Sequence, residues 1–420
     1  MKSSLFRKPF VILLTVPAAI VLAIGATPLL LVALERHFAP EASYVLLPAF
    51  DAASARSFLT TVAGGAMTAL SLAYSLTLVV FTLAAGTIGP RLLKRFTTDP
   101  VAQVTAGILG GTFLYAIATL PFVRTDQIPL FATTGAGLLS IISVLQLIYF
   151  VRNVSRAVTI DDEVANITST AHRIIRHMES QERLDEEKTD GLPKFGYELK
   201  AQRSGYVGEI NTDRIVAIAN EAGCMVRLSK RTGKYVLEGE SLAGLDCDCD
   251  EETRDAILGS IEIASARSDN GTLDFPVSLL VEIALRALSP GINDTFTALA
   301  VVDSLSSIMH EYAQLTHADL ALRDKDGAIR LVQPGYDTSE LVGMAFHPMR
   351  RAASSNILMA QGLARALARL SLNSYPPMVE AVRKHTALLL RQVDESGHFE
   401  DDIQSVREIL PLSILSENRA

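Results

Sequence analysis

Residues 246–252, with the sequence DCDCDEE, are the part of this chain that most readily suggests metal chemistry. Cys247 and Cys249 could hold a soft metal ion between two thiolates. One Cys-x-Cys pair supplies only half of a tetrahedral site, however, and the sequence has no second pair. Acids are also favoured in the first turn of a helix by the helix dipole, and a helix is expected over 251–267. We therefore expect a helix start here, with no metal and no cofactor.

A second candidate site is the segment SPGIND at 289–294, which separates two apolar helical stretches. Pro290 and Gly291 are expected to end a helix over 275–288, and Asn293 or Asp294 to cap the next helix. A tight turn between two core helices explains each residue type. The positive N-terminus of the second helix is also a candidate anion site, although an aspartate cap would compete with the anion. The residues of this candidate ligand or anion site are Arg286, Ser289, Gly291, Asn293 and Asp294.

Motifs of the common enzyme classes are missing from the sequence. There is no nucleophile elbow, phosphate-binding loop, zinc-binding helix motif or distinctive pair of carboxylates. His172 and His177 stand about 140° apart on a helix of 100° per residue, so they are not expected to share a metal ion. We therefore expect a protein without enzymatic activity.

A stripe of hydroxyl and glycine residues marks the long apolar segment 57–88. At 100° per residue, its members fall within an arc of roughly 80°. The stripe could pack against another helix, because small residues allow close approach and hydroxyls can hydrogen-bond across the contact. Helix packing is the simpler interpretation, and the alternative is that the stripe forms the water-lined wall of a pore. The candidate pore or packing stripe consists of Thr61, Thr68, Ser71, Ser75 and Thr82, extended by Ser57, Gly64 and Gly86.

The elements that must position these residues follow from hydropathy. The chain has 420 residues, of which 49% are hydrophobic and 20% charged. Four runs lack charged residues, at 10–34, 57–88, 101–123 and 127–151, and each is longer than the ~20 residues that cross a bilayer as a helix. The first is also longer than the ~7–15 residues of a signal-peptide core, so we expect it to be retained. No such run follows Arg152.

Polar residues within these four runs are few. Glycines in the third and fourth runs favour a tight helix bundle, and Gln146 is expected to bind a neighbouring helix. No Asp, Glu, Lys, Arg or His occurs inside the runs, which argues against a proton- or sodium-coupled transporter. A passive pore or a plain membrane anchor remains. The glycines are Gly107, Gly110, Gly111, Gly135 and Gly137.

Basic residues predict the orientation. They cluster before the first run, between the second and third, and after the fourth, so the positive-inside rule places both termini in the cytoplasm. Three cysteines, all after the fourth run, fit a reducing compartment, and the net charge of −8 gives no reason to expect nucleic acid. We expect a multi-pass protein of the inner (plasma) membrane. The basic residues are Lys2, Arg7, Lys8, Arg91, Lys94, Arg95, Arg152 and Arg156.

The expected fold is a membrane α-helical domain of four transmembrane helices at 1–152, followed by a cytoplasmic α+β domain. A stalk helix and linker occupy 153–190. The α+β domain at 191–335 is expected to contain a small β-barrel-like unit, with short strands around a helix over 212–222 and a hairpin that turns at 324–327. Residues 336–420 are expected to form a C-terminal helical bundle, with helices near 338–353, 355–372 and 376–395.

The run VEIALRALSPGIND resembles the signature of a bacterial integral-membrane family, the domain of unknown function 2254. Further similar segments are IGPRLLKRF, SGYVGEI, GKYVLEGESLA and AFHPMRRAASSN. The chain departs from the family pattern at Thr295, where members usually have proline, and at Gly271 and Thr272, where many have a Gln-Asp pair. The resemblance implies the fold and the membrane setting, and it implies no activity.

Two functions are compatible with these features. The first is an oligomeric, channel-like passive pore for ions or small solutes, gated by the cytoplasmic domain. The alternative is a membrane-anchored cytoplasmic sensor or scaffold that binds a small ligand or a protein partner. In both cases the expected partners are the lipid bilayer and further copies of the chain, without nucleic acid.

Overall fold

The computed structural model describes residues 9–38, 51–87, 99–125, 128–156, 160–180, 191–267, 271–315 and 319–411. The chain forms two compact units, Met1–Thr159 and Ile160–Ala420. We call the first the transmembrane unit, because it contains the four long apolar helices, and use the name soluble unit for the second. Most of the basic residues used to predict the orientation, including Lys2 and Arg91, lie outside the described residues, as does the linker at 181–190.

The transmembrane unit consists of four long helices. They are α1 (Pro9–Phe38), α2 (Ala52–Thr87), α3 (Pro100–Thr119, continued by a 3-10 turn at Leu120–Phe122) and α4 (Leu130–Arg156). All four are long and apolar enough to cross a membrane, with mean hydropathies from 1.5 to 2.3. The prediction of four transmembrane helices is therefore confirmed at the level of length and composition.

Helix α3 is the central helix, and its glycines set its distance from α1. A Cβ atom added to Gly107 would lie 2.7 Å from Cβ of Ile20, and one added to Gly111 would lie 2.8 Å from Cβ of Ile24. Both isoleucines belong to α1. Because a methyl group does not fit at either glycine, the two helices approach more closely than larger residues would allow. The tight packing expected from these glycines is present.

Polar side chains inside the transmembrane unit pair with one another. Gln146 Nε2 on α4 donates to Thr105 Oγ1 on α3 at 2.9 Å, as expected for a residue that binds a neighbouring helix. The hydroxyls of Thr112 and Ser143 are 2.9 Å apart and buried. Since lipid offers no hydrogen-bond partners, such pairs fix the rotation of α4 against α3.

Nine helices of the soluble unit fall within its described residues. They are α5 (Ile160–Glu179), α6 (Thr212–Glu221), α7 (Glu251–Leu258), α8 (Asp274–Ala287), α9 (Thr295–Tyr312), α10 (Thr338–Ala352), α11 (Ile357–Leu370), α12 (Pro376–Asp394) and α13 (Glu400–Ile409). The three helices expected after residue 336 appear as α10 to α12, and α13 was not predicted.

Helix α5 covers most of the segment in which a stalk was expected. Its buried residues, including Val164, Ile167 and Ile175, pack against α8 and α9, so α5 is part of the soluble unit's core. Residues 157–159, between α4 and α5, lie outside the described residues.

Eight strands form two sheets in the described part of the soluble unit. The strands are β1 (Tyr197–Lys200), β2 (Gly205–Ile210), β3 (Val226–Leu228), β4 (Tyr235–Val236), β5 (Ser241–Leu245), β6 (Ile261–Ala264), β7 (Leu320–Arg323) and β8 (Ile329–Gln333). One sheet has the order β1-β5-β3-β8-β7 and the other β4-β2-β6. All pairs are antiparallel except β3 with β8. Both sheets are open over these residues, so the barrel-like unit is not confirmed.

Two local predictions in this unit have different outcomes. The helix expected over 251–267 is wrong in length, because α7 ends at Leu258 and β6 follows at Ile261. The alternating sequence IEIA favours a strand there, since β-branched residues pack well in a sheet. The hairpin turn at 324–327 is confirmed: Gly327 has φ +86° and donates its N–H to the Asp324 carbonyl at 3.2 Å.

Candidate functional site

The hydroxyl stripe of α2 faces away from the transmembrane unit's own core. Its members Thr61, Thr68, Ser71, Ser75 and Thr82 are all exposed in the single chain, as are Ser57 and Gly64. The buried residues of α2 are Ala55, Leu59, Ala63, Ala66 and Ala73, which pack towards the other helices. At 100° per residue the two sets are centred about 180° apart. Within one chain, over the described residues, the stripe is therefore not a helix-packing surface.

Most hydroxyls of the stripe have a hydrogen-bond acceptor on their own helix. Thr61 Oγ1 donates to the Ser57 carbonyl at 2.8 Å, and Thr68 Oγ1 donates to the Gly64 carbonyl at 2.8 Å. Ser71 Oγ and Thr82 Oγ1 bond in the same way to carbonyls of the preceding turn. A back-bonded hydroxyl keeps its two lone pairs, so it can still accept a hydrogen bond from water or from a second helix.

A groove of about 260 Å³ lies between α2, α3 and α4, and no described residue of the stripe lines it. Gly65 and Ala69 of α2 form one wall, Ser140 and Val144 of α4 form the other, and Thr112 lies among the α3 residues that line it. Gly65 and Val144 are exposed, so the groove opens to the outside of the bundle. The groove is mostly apolar, and it suits a side chain or an acyl chain better than a hydrated ion.

The SPGIND segment forms the tight connection expected between two helices, here α8 and α9. The N–H groups of Ile292 and Asn293 both donate to the Ser289 carbonyl, at 3.0 and 2.9 Å. Asn293 has φ +51° and is the one non-glycine residue in the described part of the chain with a positive φ. Asparagine tolerates this left-handed conformation better than most residues do.

Asp294 is the N-cap of α9, one of the two residues expected there. One carboxylate oxygen accepts from Thr297 N at 3.1 Å and the other from Thr297 Oγ1 at 2.6 Å. These hydrogen bonds lower the pKa of Asp294 from its ordinary value. The ionised carboxylate therefore already occupies the position that a bound anion would take. Arg286, Ser289 and Gly291 lie in the preceding helix end and turn, and the arrangement favours the turn over an anion site.

The three cysteines of the chain meet at one place in the soluble unit. The Sγ atoms of Cys224, Cys247 and Cys249 all lie within 4.8 Å of one another, and those of Cys247 and Cys249 are 3.6 Å apart. All three cysteines are free. Cys224 is 1% exposed, and the other two are half-buried. Burial first, and then the neighbouring thiols, raise the pKa of Cys224 to about 12.

Strand pairing explains why Cys224 reaches the other two cysteines. Strands β3 and β5 are antiparallel, with Val226 opposite Leu245. The pairing continues one step beyond the strands, because Asp246 N donates to the Met225 carbonyl at 3.2 Å and Asp246 Oδ1 accepts from Met225 N at 2.7 Å. One further step places Cys224 opposite Cys247. Alternate residues point to the same side of an extended chain, so Cys249 joins them.

Sequence reasoning missed Cys224 as a partner of the Cys-x-Cys pair. Cys224 lies two residues before β3, and Cys247 lies two residues after β5. This spacing reveals the contact only when the pairing of the two strands and its register are known. The helix start predicted at the acidic run is confirmed. Asp250 is the N-cap of α7 and accepts from Thr253 N at 2.9 Å, while Glu251 and Glu252 lie in the first turn.

His172 takes part in a contact within the soluble unit. Its Nδ1 forms a short contact with Glu311 Oε2 on α9, and its Nε2 lies 3.3 Å from Ser307 Oγ. These contacts pair α5 with α9.

Comparison with known proteins gives a family and relatives. The family model described as "Predicted membrane protein (DUF2254)" matches residues 9–369. An uncharacterized protein of Mycobacterium bovis is 27% identical over 369 residues, an alignment that covers 83% of this chain and 70% of the relative. An uncharacterized protein of Mycobacterium tuberculosis matches with the same identity and coverage. No solved structure matches the chain significantly. Because the family model covers most of the chain, including all four transmembrane helices, the chain belongs to this family of predicted membrane proteins, DUF2254.

Proposed function

We propose that the protein is an oligomeric, channel-like membrane protein in which α2 of each copy faces a shared passive path for ions or small solutes. One observation carries the proposal: the hydroxyl stripe lies on the side of α2 opposite its packing face, and its members from Ser57 to Thr82 are exposed. A single chain leaves this surface without a described helix partner. A ring of copies would turn the stripes towards one axis.

The hydroxyl groups of the stripe are suited to weak, unselective hydrogen bonds with water and solutes. Hydroxyls that already bond to their own helix can exchange partners with passing water at little cost. The transmembrane runs contain no Asp, Glu, Lys, Arg or His, the residues that usually bind a driving ion tightly or relay protons. A passive path therefore fits better than coupled transport.

The membrane in which the protein lies and its orientation there belong to the same proposal. The alternating basic clusters of the sequence favour an inner-membrane protein with both termini, and hence the soluble unit, in the cytoplasm. In that position the soluble unit could control access to the path. No enzymatic step, resident cofactor or nucleic-acid partner is included in the proposal.

The first experiment measures solute flux through liposomes that contain the purified protein. The wild type is expected to form a ring of subunits and to leak ions, and Ser71→Leu or Ser75→Leu is expected to abolish the leak by filling the path with an apolar side chain. The matched control is Thr134→Leu, which replaces an exposed hydroxyl on α4, away from the stripe. A wild type that assembles as a ring without leaking would contradict the pore.

The second experiment measures the water accessibility of the stripe. A charged thiol reagent is applied to membranes that contain Ser75→Cys or, as a control on an exposed apolar flank of α2, Leu78→Cys. Mass mapping of the α2 peptide distinguishes this label from the native cysteines. A pore wall predicts fast labelling at residue 75 and slow labelling at residue 78. Equal, slow labelling of both would mean that the stripe faces lipid or a packed helix.

A specific observation also favours the alternative, a membrane-anchored sensor or scaffold. Phe296 is 79% exposed and Ile292 is 44% exposed, and both stand at the SPGIND turn. Two large apolar side chains left exposed within five residues of one turn are the basis for this alternative, because contiguous exposed apolar surface is typical of contact sites. If the soluble unit is a scaffold that assembles through this surface, Phe296→Ser lowers the oligomer mass in detergent measured by light scattering. An unchanged mass would contradict assembly at this surface.

A further inference from the structure

We propose that Cys224, Cys247 and Cys249 form a three-thiolate binding site for a soft d10 metal ion of the Cu(I) or Zn(II) class. The proposal concerns the soluble unit alone and does not depend on the pore. It goes beyond the Cys-x-Cys pair, because the fold supplies the third sulfur that the pair lacks.

The first argument is convergence. The chain has three cysteines among 420 residues, and all three come together from two separate segments. The continued pairing of β3 and β5 brings Cys224 opposite Cys247, so the strand register fixes the approach. Cysteines buried independently of one another would not be expected to meet at one place.

The second argument is geometry. Thiolates bound to one zinc ion at ~2.3 Å are separated by about 3.8 Å in tetrahedral coordination and about 4.0 Å in trigonal coordination. The Sγ atoms of Cys247 and Cys249 are 3.6 Å apart, and all three sulfur atoms lie within 4.8 Å of one another. Shortening the longer sulfur–sulfur separations by at most about 1 Å would therefore close the three sulfurs around an ion. The sulfur separation is also far above the ~2.05 Å of a disulfide bond.

The third argument is the identity of the donors. The neighbouring carboxylates are already engaged: Asp246 bonds to Met225 N, Asp248 pairs with Arg254, and Asp250 caps α7. The site therefore offers sulfur rather than oxygen, and thiolates select soft ions such as Cu(I) and Zn(II) over Mg(II) or Ca(II). Cu(I) is satisfied by three sulfur ligands, whereas Zn(II) would keep a fourth position for water or an external ligand.

The surroundings make the site compatible with a folded, metal-free protein. Cys224 belongs to the core cluster that also contains Val226, Leu245 and Ile257, and Cys247 and Cys249 pack against that cluster. Neutral thiols are tolerated in such a setting. A metal ion would displace their protons, and its binding to the folded state alone would raise stability. The site thus links metal occupancy to the junction of β3, β5 and α7.

The test uses the full-length protein in detergent with a non-thiol reductant, titrated separately with Cu(I), Zn(II) and Co(II). We expect one ion per chain, a thiolate-to-cobalt charge-transfer band whose intensity corresponds to three sulfurs, and a higher unfolding temperature in the metal-bound protein. The Cu(I) and Zn(II) arms, each measured in competition with a chelator, identify which ion is preferred.

The matched variants are Cys249→Ala, Cys247→Ala and Asp248→Asn. Each cysteine variant should lower the affinity by more than the roughly 10- to 100-fold that loss of an outer-shell partner costs. Asp248→Asn should leave the affinity within about twofold, because its carboxylate is not a donor. Circular dichroism and oligomer mass show whether each variant is folded. Failure of both Cu(I) and Zn(II) to bind the wild type, or wild-type affinity in folded Cys249→Ala, would overturn the proposal.

Discussion

Gly111 on α3 lies directly against Ile24 on α1, so closely that a Cβ atom on the glycine would be 2.8 Å from Cβ of the isoleucine. The atom it would meet is attached to the α1 backbone and cannot rotate away. The position of α1 relative to α3 is therefore set by the absence of a side chain.

This contact predicts that Gly111→Ala destabilises the transmembrane unit. The added methyl group forces the helices apart, at an overpacking cost of about 1–3 kcal/mol. Unfolding in mixed micelles measures the effect. Gly64→Ala is the matched control, because nothing lies within 4 Å of a Cβ atom added to that exposed glycine of α2. Equal destabilisation by both changes would disprove the close-packing account.

The hydrogen bond between Gln146 and Thr105 should contribute measurably to the same unit. Gln146→Leu removes the donor to Thr105 Oγ1, and we expect a loss of about 0.6 kcal/mol and at most about 1.7 kcal/mol, the average and the maximum for hydrogen bonds between transmembrane helices. Thr105→Ser keeps an acceptor and should cost less than Thr105→Val. If serine and valine at residue 105 behave alike, the hydroxyl does not matter.

Asp294 should stabilise the start of α9 in a pH-dependent way. Asp294→Ala is expected to cost about 0.5–2 kcal/mol through loss of the cap. The pKa of Asp294 is lowered in the folded state, so its contribution is complete above its unfolded value of about 3.9 and is lost as the pH falls through the lower folded value. The measurement is the difference in unfolding temperature between wild type and variant from pH 7 to pH 3. If the destabilisation by Asp294→Ala grew as the pH fell, the predicted direction of the pH dependence would be wrong.

His385 should make the soluble unit sensitive to mild acid. Burial first, then His347, Arg350 and Lys384, lower the pKa of His385 to about 4. The unfolded chain takes up a proton below about 6.5 while the folded chain does not, so stability falls between about pH 6.5 and pH 4, by about 2 kcal/mol from pH 7 to pH 5. His385→Leu should flatten this part of the profile of unfolding temperature against pH.

The control for that experiment is His310→Gln, which changes an exposed histidine on α9. This variant should keep the wild-type profile. A profile in which His385→Leu and the wild type lose stability in parallel would assign the acid sensitivity to other groups.

The proposed orientation predicts which side of the membrane each segment occupies. Reporter fusions after residues 156 and 411 should show cytoplasmic activity, and a fusion in the segment 39–50 should report the outside. Reversal of charge at Lys94 and Arg95 should weaken the preference for this orientation, because basic residues near short loops determine it. External reporter activity at residue 411 would contradict the proposal.

The transmembrane helices could be predicted because long uncharged runs have few alternative structures. Periodicity also gave the polar face of α2 correctly, but it could not tell whether that face met the chain's own helices. Only the packing of Ala55, Ala63 and Ala66 against the rest of the bundle decides that the face is outward. The periodicity of a sequence shows which residues share a helix face, but it does not show what that face contacts.

In the soluble unit, turns and helix starts could be predicted from local sequence, but the pairing of strands could not. The turn residues Gly327 and Asp294 fixed a hairpin and a helix start correctly. The association of Cys224 with Cys247 depends on which strands are neighbours and in what register. That information comes from tertiary packing, so neither the spacing of the cysteines nor the acidic run revealed the cluster.

The central place of α3 has a consequence for biogenesis. More than half of this helix's most apolar window is covered by protein, whereas the corresponding windows of the other three are mostly uncovered. Synthesis delivers α1 and α2 to the bilayer before the helix that separates and binds them. Until α3 arrives, the two earlier helices lack their shared partner, so their native contacts with it can form only after the third insertion event.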